Sequence, residues 1–95
     1  MLEIAVQHQP DQKRFICLVD GFTCVAEYTE SDSDRSWNVV HTWVAEELRG
    51  RGIAEKLMKA LAAEARASGH SLTASCSYAA LFLERHKEYA DIMKN

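Results

Sequence analysis

The most informative stretch for the fold is ELRGRGIAEKL, residues 47–57. Within it, an amphipathic helix begins directly after a glycine-rich turn. The turn contains Arg49, Gly50, Arg51 and Gly52, with no Ser, Thr, Asp or Asn side chain to cap the helix. The first four N–H groups of a helix have no partner inside it. Glycines let a ligand approach the backbone, and the helix dipole and the arginines attract an anion. The segment therefore predicts a phosphate-binding helix N-terminus.

A helix, a strand and a second helix are predicted after this turn. From residue 52 to about residue 67, apolar residues recur on one helical stripe: Ile53, Leu57, Ala60, Leu61 and Ala65. Gly69 suits the position that follows a helix C-terminus. Residues 70–76 predict a short fifth strand, and residues 78–86 predict a second helix with Ser77 as its cap.

The first half of the chain predicts four strands. An apolar alternation opens the chain at Leu2, Ile4 and Val6. Residues 13–19 and 22–28 are rich in β-formers, and Asp20-Gly21 between them predicts a two-residue hairpin turn. That turn sets three cross-strand pairs: Val19 with Phe22, Cys17 with Cys24, and Arg14 with Glu27. Residues 36–44 predict a fourth strand, whose more continuous apolar character favours a central position.

The order of these elements predicts one α/β (α+β) domain over residues 1–95. Strands four and five are joined through a helix and are therefore expected to be parallel, or splayed, in an otherwise antiparallel sheet of about five strands. The first main helix covers one face of the sheet. The other face, partly apolar in the hairpin, needs the second helix or a partner subunit, so we expect a monomer or a weak homodimer.

Composition argues against several classes of protein. Eleven Lys and Arg against fourteen Asp and Glu give a net charge of −3, whereas nucleic-acid binders usually carry a basic excess. No apolar run approaches the roughly 20 residues that span a bilayer, and no signal peptide is visible. We therefore expect a cytoplasmic protein, or a nuclear one in a eukaryote, that binds neither membrane nor nucleic acid. The three cysteines lack metal-ligand spacing, so free thiols and no metal are expected.

The turn also carries the most informative motif. Arg49-x-x-Gly52-x-Ala54, directly after a strand, resembles the pyrophosphate-binding motif Gln/Arg-x-x-Gly-x-Gly/Ala of the GNAT acetyltransferase superfamily. Together with residues 41–44, 76–78 and 86–92, the motif makes nearly the whole chain similar to a minimal, single-domain GNAT-like subfamily. The resemblance implies acetyl-CoA as cosubstrate, bound by the following residues: Thr42, Trp43, Val44, Leu48, Arg49, Gly50, Arg51, Gly52, Ile53 and Ala54.

Three side chains are candidates for the chemistry. Cys76 precedes the second helix, whose N-terminus favours a thiolate that can take up an acetyl group; the alternative is a small packing thiol. His41 is the candidate general base, or the residue that activates Cys76, and the alternative is a structural histidine bonded in the core. The resemblance implies that Tyr78 protonates the departing CoA thiolate, against the alternative of a packing tyrosine.

These inferences predict an acetyl-CoA-dependent N-acetyltransferase that acts on an amine. A small chain leaves few walls for a substrate pocket, which favours an amine of a protein or peptide over an enclosed small molecule. Transfer directly to the amine and transfer through Cys76 both stay open at this point. The alternative function is a CoA-binding or protein-interaction module without catalysis, because the fourth strand contains no glutamate that would serve as a base.

Overall fold

A computed structural model describes residues 4–94, which form a five-stranded sheet and two main helices. The strands are β1 (Gln7–Gln9), β2 (Arg14–Val19), β3 (Phe22–Ser31), β4 (Ser36–Trp43) and β5 (Ser71–Ala74). The helices are α1 (Ile53–Ala67) and α2 (Ser77–Arg85), with short 3-10 helices at Glu46–Leu48 and Lys87–Ile92.

The strands lie in the order in which they occur in the chain, β1-β2-β3-β4-β5. Neighbours from β1 to β4 are antiparallel, and β4 and β5 are parallel, with α1 as the crossover between them. A parallel pair needs such a long connection, because the chain must return to the end of the sheet at which it started. The predicted α/β fold class is confirmed.

The hairpin between β2 and β3 forms as predicted. Asp20 and Gly21 both have positive φ, 50° and 83°, the conformation that a tight two-residue turn requires. All three predicted cross-strand pairs are present, including Cys17 opposite Cys24. Both thiols are buried and free, as predicted. Burial, reinforced by the neighbouring Cys24, raises the pKa of Cys17 to about 11, so this thiol stays protonated.

A β-bulge interrupts the pairing of β3 with β4. Glu27 lies opposite His41, but the next residue, Tyr28, lies opposite Val39, so one residue of β4 has no partner. A bulge of one residue reverses the side of the sheet to which all later residues of the strand point. The sequence pattern gave no indication of this break.

The hydrophobic core lies between one face of the sheet and the two helices. From α1 it takes Ile53, Leu57, Met58, Leu61, Ala62 and Ala65, and from α2 Ala79, Phe82 and Leu83. The sheet contributes Phe15, Cys17, Val19, Cys24, Ala26, Tyr28, Trp37 and Val39. We call the opposite side of the sheet the outer face. Its apolar side chains are open to solvent, with Leu18 71% and Trp43 42% exposed.

Element boundaries differ from expectation at three places. Ile4 and Val6 precede β1 rather than forming part of it, and Leu2 lies outside the described residues. β5 ends at Ala74, because the N–H groups of Ser75 and Cys76 both donate to the Val39 carbonyl oxygen, at 2.9 and 3.1 Å. The N-cap of α2 is Cys76, and the predicted cap, Ser77, is instead the first helical residue.

We predict that His8 makes stability fall in acid. The His8 ring stacks on Phe15 with 4.1 Å between ring centroids, and its Nε2 shares a 2.7 Å hydrogen bond with the Tyr28 hydroxyl. Burial lowers the pKa of His8 from 6.5, although Glu64 partly opposes the shift. The unfolded chain therefore binds this proton more readily than the folded chain. The stabilisation is present above pH 6.5 and is lost as the pH falls towards the folded pKa.

Urea unfolding at about pH 7.5 and about pH 5.5 measures this effect. The wild type should lose free energy of unfolding at the lower pH, and His8→Gln should lose less. Val39→Ala is the control, because it removes buried methyl groups and should cost about 2 kcal/mol at both pH values. The same loss of stability in acid for His8→Gln and the wild type would contradict the assignment.

Candidate active site

A cleft of about 420 Å³ lies where the end of β4, the turn after it and the first residues of the two helices meet. Its lining comprises Thr42, Trp43, Val44, Leu48, Arg49, Gly50, Gly52, Ile53, Ala54, Glu55 and Tyr78. Nine of the ten residues predicted to bind the cofactor are therefore together on one surface. The exception is Arg51.

Two buried residues anchor the turn between β4 and α1. Ala45 and Leu48 are 2% and 1% exposed, and the Leu48 N–H donates to the Ala45 carbonyl oxygen at 2.9 Å. After this anchored part, Gly50 and Gly52 adopt φ values of 86° and 78°, which other residues adopt only at a cost. The apolar side chains thus fix the turn to the core, while the glycines direct its backbone along the cleft.

The N-terminus of α1 has the open character that the sequence predicts. Gly52 is its N-cap, and no side chain caps it within residues 4–94. The first bond of the helix runs from the Lys56 N–H to the Gly52 carbonyl oxygen at 3.1 Å. A Cβ atom added at Gly50 or Gly52 would meet no other atom within 4 Å. A ligand can therefore reach the free N–H groups of the first helical turn.

The two arginines of the turn have different positions. Arg49 lines the cleft, and its Nε donates to the Val44 carbonyl oxygen at 3.3 Å, which leaves the terminal guanidinium nitrogens for another partner. Arg51 instead forms an ion pair with Asp20 of the hairpin turn, with 3.0 Å between Nη1 and Oδ2. The prediction that both arginines face the cofactor therefore needs correction: Arg51 links the turn to the hairpin.

Cys76 lies at the N-cap of α2, beside the end of β4. Its Sγ is 3.4 Å from the Thr42 hydroxyl oxygen. Burial alone raises the pKa of this thiol, but donors from Thr42 and the N–H groups of Ala79 and Tyr78 outweigh burial, so the pKa is lowered. The direction of this shift agrees with the expected effect of the helix N-terminus on the thiol. Because no close capping bond forms to the sulfur, the helix N–H groups act mainly on the charged form.

Tyr78 and Glu55 face each other across the cleft. Burial, followed by the charge of Glu55, raises the pKa of Tyr78, so its hydroxyl keeps the proton that a proton donor needs. Glu55 is bonded to Lys59 at 3.1 Å, and Lys59 is the main cause of the lowered pKa of Glu55. The sequence analysis did not include Glu55 among the cleft residues, although its position in the first turn of α1 would have indicated this place.

His41 does not reach Cys76. It lies one residue before Thr42 on β4, and neighbouring residues of a strand point to opposite faces. Thr42 lies opposite the buried Ala26 and contacts Cys76, whereas His41 lies opposite Glu27 and is exposed on the outer face. The prediction that His41 activates Cys76 is therefore wrong, because His41 lies on the opposite face of the sheet from Cys76. The bulge in β4 is the physical reason for this placement.

Neither a metal centre nor a membrane span is present in the part of the chain that the structure describes. No three His, Cys, Asp or Glu side chains within residues 4–94 lie close enough together to hold a metal ion. No helix in the same range is both long and apolar enough to cross a bilayer. The functional groups in and beside the cleft are a thiol that ionises readily, a protonated tyrosine and an open helix N-terminus.

Comparisons with known proteins identify the family. The family model described as GCN5-related N-acetyltransferase matches residues 14–92. A GCN5-like candidate N-acetyltransferase from Staphylococcus aureus, solved by NMR in solution, is 29% identical with a TM-score of 0.77 over 100% of this chain and 92% of its own. No functionally curated protein matched significantly. The chain belongs to the GCN5-related N-acetyltransferases, enzymes that transfer an acetyl group from acetyl-CoA to an acceptor.

Proposed function

We propose that this protein acetylates an amine of a protein or peptide, and that the acetyl group passes through Cys76. The observation that carries the proposal is the closeness of two features: the uncapped N-terminus of α1, which borders the cleft, and the Cys76 thiol, which has a lowered pKa and contacts Thr42 of the cleft lining. The first feature suits a diphosphate, and the second suits a nucleophile. Acetyl-CoA carries its diphosphate and its thioester at opposite ends of the pantetheine arm.

Arg49, Gly50, Gly52 and the first residues of α1, Ile53 and Ala54, are proposed to hold the diphosphate of acetyl-CoA. The N–H groups at the start of α1 and the free nitrogens of Arg49 supply donors and positive charge. The pantetheine arm then follows the edge of β4 at Thr42 and Val44, which β5 leaves uncovered because it ends at Ala74. A backbone N–H of this edge is the proposed donor to the oxyanion that forms at the thioester.

In the first step the Cys76 thiolate attacks the carbonyl carbon of the thioester. A new bond forms between Sγ and the acetyl carbon, and the bond between that carbon and the CoA sulfur breaks. The electron pair of the broken bond leaves on the CoA sulfur, which takes the proton of the Tyr78 hydroxyl. Tyr78 has this proton to give, because burial and Glu55 raise its pKa and keep its hydroxyl protonated.

In the second step the acceptor amine attacks the acetyl carbon on Cys76. The amide bond forms, the bond to Sγ breaks, and the thiolate that the donors of Thr42, Tyr78 and Ala79 stabilise is released. The amine loses one proton to solvent, and solvent returns one to Tyr78, so the enzyme ends as it began. His41, on the outer face, takes no part in activating Cys76 in this scheme.

An exposed site favours an acceptor on a larger molecule. Tyr78 lines the cleft and is still 38% exposed, so the cleft is open to solvent beside this residue. An amine on a flexible peptide or a protein surface can approach such an opening, and most of its binding contacts then lie outside the cleft.

We predict that Gly52→Ala weakens CoA binding by roughly tenfold or more, because its methyl group occupies the space in front of the helix N–H groups. Gly69→Ala is the matched control, since Gly69 has nearly the same φ, 77° against 78°, at the other end of α1. Both changes strain the backbone by about 1 kcal/mol. Calorimetry with CoA should therefore separate them. Similar affinities for the two variants would remove the diphosphate assignment.

The two arginines of the turn provide a second, matched comparison. Arg49→Ala should reduce CoA affinity by roughly tenfold, the value of one charge-assisted hydrogen bond. Arg51→Ala should change it much less, because that side chain is paired with Asp20 outside the cleft. The two variants remove the same side chain from positions two residues apart. A larger loss for Arg51→Ala than for Arg49→Ala would contradict the proposed orientation of the turn.

Intact mass spectrometry tests the route through the thiol. After incubation with acetyl-CoA and an acid quench, the wild type should gain the mass of one acetyl group, and neutral hydroxylamine should remove it. Cys76→Ala should not gain it, whereas Cys17→Ala should, because Cys17 is buried and its pKa is raised. Full turnover of an amine by Cys76→Ala would indicate direct transfer. CoA binding with neither adduct nor turnover would indicate a binding module instead.

A further inference from the structure

We propose that Thr42 is the positioning residue of Cys76, holding its sulfur at the open end of β4, beside the cleft that Thr42 lines. The inference rests on the proposed role of Cys76 as acetyl carrier and adds to it a side chain with a separate, measurable effect. Thr42 lines the cleft, and its hydroxyl oxygen lies 3.4 Å from Sγ.

The bulge in β4 brings Thr42 into this position. Val39 points into the core, so in a regular strand residue 41 would share its face and residue 42 would point outwards. Because β4 has an extra residue between Val39 and His41, the order is reversed and Thr42 shares the face of Val39. The strand thereby presents a hydroxyl to Cys76 where regular alternation would have presented an imidazole.

The backbone around the sulfur is held from two directions. The N–H groups of Ser75 and Cys76 donate to the Val39 carbonyl oxygen. The Ser75 hydroxyl accepts a bond from Asn38 Nδ2 at 2.9 Å, and the Thr73 hydroxyl donates to Asn38 Oδ1 at 3.0 Å. With both chain segments fixed, the direction of the Cys76 side chain is the remaining freedom, and the contact with Thr42 restricts it.

Threonine suits this position in two ways. Its β-branched side chain is stiff at χ1, so the hydroxyl has few alternative directions. A hydroxyl also donates to a thiolate, and the backbone N–H of Thr42 favours the same charged form of Cys76. Valine has the same shape but no donor, and serine has the donor but no branch. The pair of substitutions therefore separates hydrogen bonding from packing.

The pH profile of alkylation by iodoacetamide tests the inference on the free protein, without acetyl-CoA. In Thr42→Val the pH of half-maximal alkylation of Cys76 should rise by about one unit, and Thr42→Ser should stay near the wild type. Cys76→Ala identifies the signal, since Cys17 and Cys24 are buried. Arg49, Glu55 and Tyr78, the titratable groups that line the same cleft, are unchanged in all three variants.

The outcomes distinguish this inference from the proposed function. An unchanged alkylation profile in Thr42→Val overturns the role of Thr42, whatever the enzyme does with acetyl-CoA. A shifted profile in Thr42→Val, together with a wild type that forms no acetyl adduct, supports the positioning role of Thr42. That result overturns the acetyl-carrier role of Cys76 instead. Thr42→Ala is a second variant without the hydroxyl, and circular dichroism of each variant verifies that it folds. A shift in Thr42→Ser as large as in Thr42→Val would also overturn the inference, since the donor would then be irrelevant.

Discussion

The parallel pairing of β4 with β5 ends at the carbonyl oxygen of Val39, which accepts hydrogen bonds from the N–H groups of both Ser75 and Cys76. Beyond this point the two strands diverge. β4 continues to the cleft edge at Thr42 paired only with β3, and the chain after β5 turns into α2. An uncovered strand edge and a helix N-terminus thus lie side by side. Without the divergence, β5 would pair along the edge on which we propose that the pantetheine arm lies.

Local patterns were enough to predict most of the fold from the sequence. Asp20-Gly21 set the hairpin and its register, since only a two-residue turn with positive φ joins those strands. The apolar stripe gave α1 almost to the residue. Glycines without a capping side chain indicated the open N-terminus of α1, because capping depends on residues next to the helix start. Each of these features depends on neighbours within a few positions of the chain.

The candidate site was predicted less well, because it depends on contacts between distant parts of the chain. Arg51 pairs with Asp20, 31 residues away, and no local pattern distinguishes it from Arg49. The bulge at residues 39–41 reverses which side chain of β4 meets Cys76, and two consecutive valines, at positions 39 and 40, give no sign of it. His41 was proposed as the partner of Cys76 for its chemistry alone, and the sequence could not show that the bulge turns Thr42 rather than His41 towards Cys76.

The lowered pKa of Cys76 reflects opposing effects, and this balance suits a group that must both accept and release acetyl. Burial raises the pKa, while the donors of Thr42 and the start of α2 lower it by more. A thiol with a very low pKa ionises fully but is a weak nucleophile, and one with a high pKa is a poor leaving group. Partial burial opposes the donors, and in the proposed mechanism this limits the loss of nucleophilicity that a lower pKa brings. The same donors then stabilise the thiolate as the leaving group when an amine attacks. The partly buried N-cap of α2 thus combines both conditions that the proposed transfer through Cys76 requires.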